Sequence, residues 1–589
     1  MTTGGGADSL IRQTTAGAVR GAREGEVLSW KGVPFAAPPV GERRFRRPAP
    51  AEPWHELRDA THFGPMAPQR VLKSMEVVPG VSIAEDCLTL NIWSPRGTAA
   101  GTGTPDGRDP DVTTAAPPHR GKPVLVWIHG GGYFQGSTAQ RYYDGRHLAA
   151  NGDVVVVTVN YRLGVLGFVD FSSLADDVTT GATTGAGFTH GFDSNLGLRD
   201  QIFALQWVRE NIAAFGGDPD DVTLFGESAG GASVVALMAS PLTTGLFHRA
   251  IAQSAPVTSI YGRQRARAVA ERFLEIVGIA PGESHRLREL DVFDLVDAGA
   301  ELVHEVSGKV PGTLAMAPMQ GDDVLPEFPL TVFREGRAPR IPLIIGTNHD
   351  ESSFFKLMRS PLLPITGEKV EQMFAEIAAD RPEFEGAGAR ITGAYPAYPR
   401  RRTPAEVSRD AGFRMPSVWL AEAHSRFAPT WMYRFDHATP LLRVSGIGAT
   451  HAAELAYVFG SFAPRGKDIV FGLGGRSEAL RVSERMQARW LAFARTGDPD
   501  AALVVDEAGV PDAEVVPDAE VGRDAAGAPD AASPDAAGAP ASPLADAPSW
   551  PRYDESSRST LIIDRDDRVE HDPDADIREA WGPEILAFR

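Results

Sequence analysis

Gly226-Glu227-Ser228-Ala229-Gly230-Gly231 is the stretch that decides how this chain folds. The residues before it, Asp221-Val-Thr-Leu-Phe225, alternate as a strand does. Those after it, Ala232-Ser-Val-Val-Ala-Leu-Met238, read as a helix. A serine at that junction rides a sharp strand-to-helix turn, which only small neighbours tolerate. The turn presents the hydroxyl and sets it beside the first N–H groups of the helix. Gly-x-Ser-x-Gly in this setting predicts an activated serine.

Outward from that turn the pattern repeats. Pro123-Val-Leu-Val-Trp-Ile128 and Val154-Val-Val-Val-Thr-Val159 are near-continuous apolar runs, as expected of strands buried on both faces of a parallel sheet. Ile202, Leu205, Val208, Ile212 and Phe215 recur at helical spacing. Residues 249–253, 342–346 and 430–434 supply further strands, and residues 9–31 alternate as an N-terminal antiparallel hairpin would. Alternating strands and helices around buried strands predict one large α/β body spanning residues 1–589. Three stretches do not suit a core and are read as surface insertions: 97–121, 176–192 and 501–549. The last holds no aromatic residue, too little apolar surface to offset the entropy of ordering it, so a solvated loop is expected. Its flanks, Phe493–Pro499 and Trp550–Asp554, should then lie side by side.

Charge is uneven along the 589 residues. Of the net −19, the stretch 501–549 contributes −9, from ten Asp/Glu against one Arg. No basic face suggests nucleic acid, and no apolar run approaches the ~20 residues that cross a bilayer. Cys87 is the sole cysteine, so no intrachain disulfide can form. The first residues lack the basic and apolar regions of a secretory leader. A cytoplasmic protein without nucleic-acid or membrane partners is expected.

Hydrolysis through a serine needs a base, an acid to orient it, and donors for the developing oxyanion. His129-Gly130-Gly131-Gly132-Tyr133 follows the strand ending at Ile128. The N–H groups of Gly131, Gly132 and Ala229 form a candidate hole, each donor typically worth about 2.7–4 kcal/mol in the transition state. Downstream, Gly346-Thr-Asn-His-Asp-Glu351 ends a strand at the edge where site residues collect, and Gly448-Ala-Thr-His451 precedes an apolar stretch. A metal site built from His349, Asp350, Glu351 or His451-x-x-Glu454 is the rival reading, but no His-Glu-x-x-His pattern accompanies it.

Further motifs stand in fixed order: Trp30-Lys-Gly-Val-Pro-Phe-Ala36, Glu85-Asp-Cys-Leu-Thr-Leu-Asn-Ile-Trp93, Asn160-Tyr-Arg-Leu-Gly164, Asn195-Leu-Gly-Leu-Arg-Asp-Gln201 and Phe215-Gly-Gly-Asp-Pro219. With these the chain resembles the type B carboxylesterases, the family of the cholinesterases and the bacterial para-nitrobenzyl esterases. The resemblance covers about residues 10–500 and resumes at Trp550. It implies an α/β-hydrolase fold and two-step acyl transfer on small-molecule esters, by a monomer or weak homo-oligomer, with no metal or organic cofactor. It makes Ser228 the nucleophile, Glu351 the orienting acid and His451 the base, with Gly131, Gly132 and Ala229 as the oxyanion hole. A base that must be neutral implies activity rising with an apparent pKa near ~6–7.

Departures accompany the resemblance. Pro65-Met-Ala-Pro-Gln69 stands where the family often has a cysteine that pairs with the one in Glu-Asp-Cys, which leaves Cys87 as a buried free thiol. Residues 66–86 contain no tryptophan, so a choline site is not implied. Gln320 stands where the family commonly has Asp. The family also includes adhesion proteins that have lost the nucleophile, which makes an inactive binding protein the alternative function.

Overall fold

The computed structural model describes residues 10–71, 75–96, 121–178, 191–358, 360–462, 468–501, 542–586 and 588. Its strands are β1 (Ile11–Gln13), β2 (Ala18–Arg20), β3 (Ala22–Glu24), β4 (Val27–Pro34), β5 (Arg58–Asp59), β6 (Thr89–Pro95) and β7 (Lys122–Ile128). They continue with β8 (Val155–Val159), β9 (Gly217–Glu227), β10 (Arg249–Gln253), β11 (Leu343–Asn348), β12 (Thr430–Phe435), β13 (Ser559–Ile563) and β14 (Arg568–His571). Eleven form one sheet in the order β14-β13-β12-β11-β10-β9-β7-β8-β6-β4-β3, and β1-β2-β5 form a small second sheet. From β13 across to β8 every neighbouring pair is parallel, and antiparallel pairs close both edges.

The apolar runs of the sequence become these central strands because both sheet faces are covered. Along β7, Val124, Val126 and Ile128 enter one hydrophobic layer while Leu125 and Trp127 enter the other. In the second layer Trp127 packs on Phe225 of β9, with ring centroids 4.8 Å apart. The helical pattern from Ile202 is a helix at Leu196–Asn211 that tightens into a 3₁₀ turn at Ile212–Phe215.

Strand order fixes where a site can form. The chain runs from β7 to β8 on one side, then returns to β9 on the other side of β7 and continues outward from there. The carboxyl ends of β7 and β9 are therefore neighbours at the point where direction reverses, the usual crevice of an open α/β sheet. Ile128 pairs with Gly226 there, which brings the glycine loop after β7 beside the serine turn after β9.

Some boundaries differ from expectation. The expected single hairpin over residues 9–31 is two hairpins within the described residues, β1 with β2 in the small sheet and β3 with β4 at the edge of the large one. Of the three insertions, 97–120, 179–190 and 502–541 lie outside the described residues. Phe192, read as part of an insertion, belongs to the core and packs against Phe45 and Phe171. Residues 542–549, read as solvated loop, are tied down at their end. Arg489 donates to the Pro548 carbonyl at 2.6 Å and pairs with Asp500, whose other oxygen accepts from Ser549 Oγ at 2.9 Å and from the Trp550 N–H.

The flanks of the acidic stretch thus meet at Asp500. Replacing residues 503–541 by a short Gly/Ser linker should leave kcat/KM on a small aryl ester within about threefold, because closure entropy changes by only about 0.6 kcal/mol per doubling of length. Asp500→Ala should instead destabilise the protein by about 2 kcal/mol, since buried Arg489 loses its carboxylate partner and the Trp550 N–H loses its acceptor. Thermal unfolding of the two variants checks the contrast; a linker variant less stable than Asp500→Ala would contradict it.

Candidate active site

Ser228 sits at φ 57°, ψ −125°, in a region where a non-glycine residue is strained by about 1–3 kcal/mol. Neighbouring strands hold it there. Its N–H donates to the Gln253 carbonyl of β10 at 2.9 Å, and its carbonyl accepts from the Ala232 N–H at 2.9 Å. The following helix, Ala229–Ala239, starts against the end of β7. A Cβ on Gly230 would lie 2.1 Å from the Ile128 carbonyl oxygen, so no larger residue fits. Ala229 is the first residue of that helix, so its N–H has no intrahelical acceptor.

The glycine loop faces this turn. Gly131 adopts φ +120°, where a side chain would also strike the Gln135 carbonyl. Gln69 pins the far end of the loop: its amide exchanges two 2.8 Å hydrogen bonds with the N–H and carbonyl of Gly136. Tyr161 pins the near end by donating to the His129 carbonyl at 2.6 Å and stacking on the His129 ring. Burial lowers the His129 pKa to about 4. His129 is therefore neutral, and its Nδ1–H donates to the Gly130 carbonyl at 2.9 Å. Gly131, Gly132, Ser228, Ala229 and His451 all line one cavity of about 380 Å³, whose other walls are largely apolar and include Phe354, Phe355 and Phe413.

Glu351 follows β11 and is fully buried. One of its oxygens accepts the Asn348 N–H at 2.8 Å and the other lies 2.6 Å from His451 Nδ1. His451 Nε2 lies 2.9 Å from Ser228 Oγ. The imidazole packs against the rings of Phe355 and Phe413, at 5.1 and 4.7 Å, and those two rings also touch each other. Asp350, adjacent to Glu351, points elsewhere. It accepts from the Ala449 N–H at 3.2 Å and lies 3.1 Å from His349 Nδ1, while its own N–H reaches the Ala449 carbonyl. Asp350 therefore ties the loop that carries His451 to the end of β11.

Two further carboxyls complete the site: Glu227, given no role by the sequence, and Glu454, considered there only as a metal ligand. Glu227 Oε1 lies 3.2 Å from His451 Nε2. Glu454 accepts from Gln253 Nε2 at 3.1 Å and from Asn348 Nδ2 at 2.5 Å. Both are buried. Burial pushes the Glu227 carboxyl up to about 8, with His451 opposing and the like charges of Glu454 and Glu351 adding. Burial also raises Glu454, beside Glu351. On His451, burial alone pulls the pKa down, but Glu227, Glu351 and Glu454 outweigh it and lift it to about 9. The acidic neighbours of His451 therefore favour its charged form more than an ordinary histidine's surroundings do. The signal in the sequence was the position of the two residues: Glu227 precedes the serine, and Glu454 lies three residues after His451.

Ser254, the nearby serine at the end of β10, is fully buried, whereas Ser228 opens to the cavity. Cys87 is a buried free thiol whose pKa burial drives upward. Among the described residues no group of three or more His, Cys, Asp or Glu is arranged to hold a metal ion, and no helix is long and apolar enough to cross a membrane.

Comparison with known proteins agrees with this architecture. Residues 8–576 match the Carboxylesterase family. The chain is 33% identical to the para-nitrobenzyl esterase of Bacillus subtilis (strain 168) over 574 residues, covering 97% of this chain and 98% of that protein. It is 34% identical to the fumonisin B1 esterase of Sphingopyxis macrogoltabida over 503 residues, 83% of each. The solved structure of a thermophilic PNB esterase superposes with a TM-score of 0.75 at 33% identity, covering 97% of this chain and 99% of that one. A match that spans nearly the whole sequence and the whole sheet means that the chain belongs to the carboxylesterase family and is a serine carboxylesterase with the α/β-hydrolase fold.

Proposed function

We propose that Ser228, His451 and Glu351 are the nucleophile, the general base and the orienting acid of this esterase, with the N–H groups of Gly131, Gly132 and Ala229 as its oxyanion hole. The observation that carries the reading is the unbroken chain Ser228 Oγ to His451 Nε2 at 2.9 Å and His451 Nδ1 to Glu351 at 2.6 Å. His451 takes the Ser228 proton as Oγ attacks the ester carbonyl, and Glu351 stabilises the imidazolium that results. The three N–H groups receive the oxyanion. His451 then protonates the leaving alcohol, and a water deprotonated by the same imidazole releases the acid from the acyl-Ser228 ester. The apolar cavity walls support neutral carboxylic esters as substrates. A cytoplasmic bacterial setting is part of the proposal, in keeping with the lone free thiol and the bacterial relatives.

Ser228→Ala should abolish nearly all ester hydrolysis with little change in melting temperature. Peptide mapping after phosphonate labelling should place the adduct on Ser228; an adduct on Ser254 would contradict the assignment.

Glu351→Gln should lower kcat by orders of magnitude, because an amide cannot stabilise the imidazolium. Asp350→Asn should cost far less, since Asp350 holds the loop rather than the imidazole. Steady-state kinetics of both variants decides the matter, and the reverse ranking would transfer the role to Asp350.

The acidic surroundings also predict the pH profile. His451 acts as base only when neutral, so a raised pKa moves the rising limb of kcat/KM to higher pH than a free histidine would give. Glu227 favours the imidazolium, and Glu227→Gln removes that pull. The limb should therefore shift toward lower pH in the variant, as measured by kcat/KM from pH 5 to 10. An unmoved limb would show that Glu227 does not act on His451.

A further inference from the structure

A second cavity of about 370 Å³ lies against the catalytic one. The two share four side chains, Gln135, Phe354, Phe355 and Leu362, which therefore form a partition one residue thick. The glycine loop abuts that partition: a Cβ on Gly132 would lie 2.8 Å from the Phe134 ring and 3.7 Å from Leu362 Cδ1. Phe354 and Phe355 sit on the short helix Ser352–Leu357, immediately after Glu351. The partition is thus built from the same two segments that carry the oxyanion donors and the orienting acid.

Beyond it the walls are apolar. Helix Gly164–Phe168 contributes Val165 and Leu166, helix Val292–Lys309 contributes Leu295 and Val296, and Met316 adds to them. Arg70 is the only charged side chain in the described lining, and Asp297 holds it at 2.7 Å on the exposed rim. Such a space offers water few partners and offers a hydrocarbon chain a full set of contacts. The catalytic cavity alone is near the lower end of the volumes that enclose a drug-sized ligand, and the pair together lies well within that range.

We propose that this second cavity is a specificity subsite. It receives a long hydrocarbon group of the ester, remote from the scissile bond, which passes Phe354 and Leu362 from the catalytic cavity. The preferred substrates are then esters with an extended apolar chain on one side and a small group on the other. The inference rests on Ser228 being the nucleophile, and the experiment keeps the two readings apart.

The full-length enzyme is assayed on p-nitrophenyl esters from acetate to decanoate and, in a pH-stat, on n-alkyl acetates of matching length. Wild-type kcat/KM should rise along one series by up to about fourfold per methylene, the ratio that corresponds to ~0.8 kcal/mol per buried CH₂. The series that rises tells whether the acyl or the alcohol chain enters. Val296→Trp fills the subsite from a half-buried position on its helix. It should leave acetate hydrolysis within twofold and lower activity on the ten-carbon chain at least tenfold. Met358→Glu, on the exposed lip, is a second variant that leaves the core untouched and should selectively depress the long esters. No rise with length in either wild-type series, or an equal rise in both variants, would overturn the subsite. Acetate hydrolysis surviving in Ser228→Ala would instead overturn the nucleophile, whatever the chain-length profile.

Discussion

A buried carboxylate with both oxygens committed is the constraint on which this active site depends. Glu351 is sealed from solvent, and its charge is tolerable only because the Asn348 N–H and His451 Nδ1 each take an oxygen. That pairing fixes the ring tautomer and aims Nε2 at Ser228, 2.9 Å away. The supports are backbone ones. β11 ends at Asn348, Asp350 pairs with the loop at Ala449 and Thr450, and Phe355 and Phe413 close on the ring. The strained serine turn is held independently by β10 and β7, so the two halves of the site are positioned by different strands of one rigid sheet.

The local electrostatics are unusual for a single histidine. Glu227, Glu351 and Glu454 surround it, all buried, and like charges so close cannot all be ionised at little cost. Glu227 Oε1 and Ser228 Oγ both lie within reach of the same nitrogen, at 3.2 and 2.9 Å. Nε2 has one lone pair, so it accepts a proton from only one of them at a time. The protonation of Glu227 and His451 is therefore a property of the pair. An acid-rich setting favours the imidazolium, which is the form that the base adopts in the transition state.

Much of this was legible in the chain, and for identifiable reasons. β7, β8, β10, β11 and β12 were readable because strands covered on both faces leave continuous apolar runs, and the Gly-x-Ser-x-Gly turn was readable because its glycines answer close approaches such as Gly230 to Ile128. Ser228, Glu351 and His451 were expected in one site, and His451 lies within hydrogen-bonding distance of both others. Glu227, beside the serine, and Glu454, three residues after His451, were marked by position alone, since their meaning lies in contacts across the sheet with Asn348, Gln253 and His451. Composition described the end of the acidic stretch only in part: residues 542–549 are irregular and mostly exposed, but Arg489 and Asp500 hold Pro548 and Ser549 from a distance. The second apolar cavity was equally hidden, because it is assembled from six separate segments.

The hydrogen bond between Glu351 and His451 is open to direct observation. Proton NMR of enzyme labelled with ¹⁵N-histidine should show one far-downfield proton attached to a histidine Nδ1, absent from Glu351→Gln. Its imidazole should titrate above the range of an ordinary histidine. A spectrum without that proton, or with the His451 ring titrating as a free imidazole does, would contradict the central claim that a buried Glu351 holds and polarises the base.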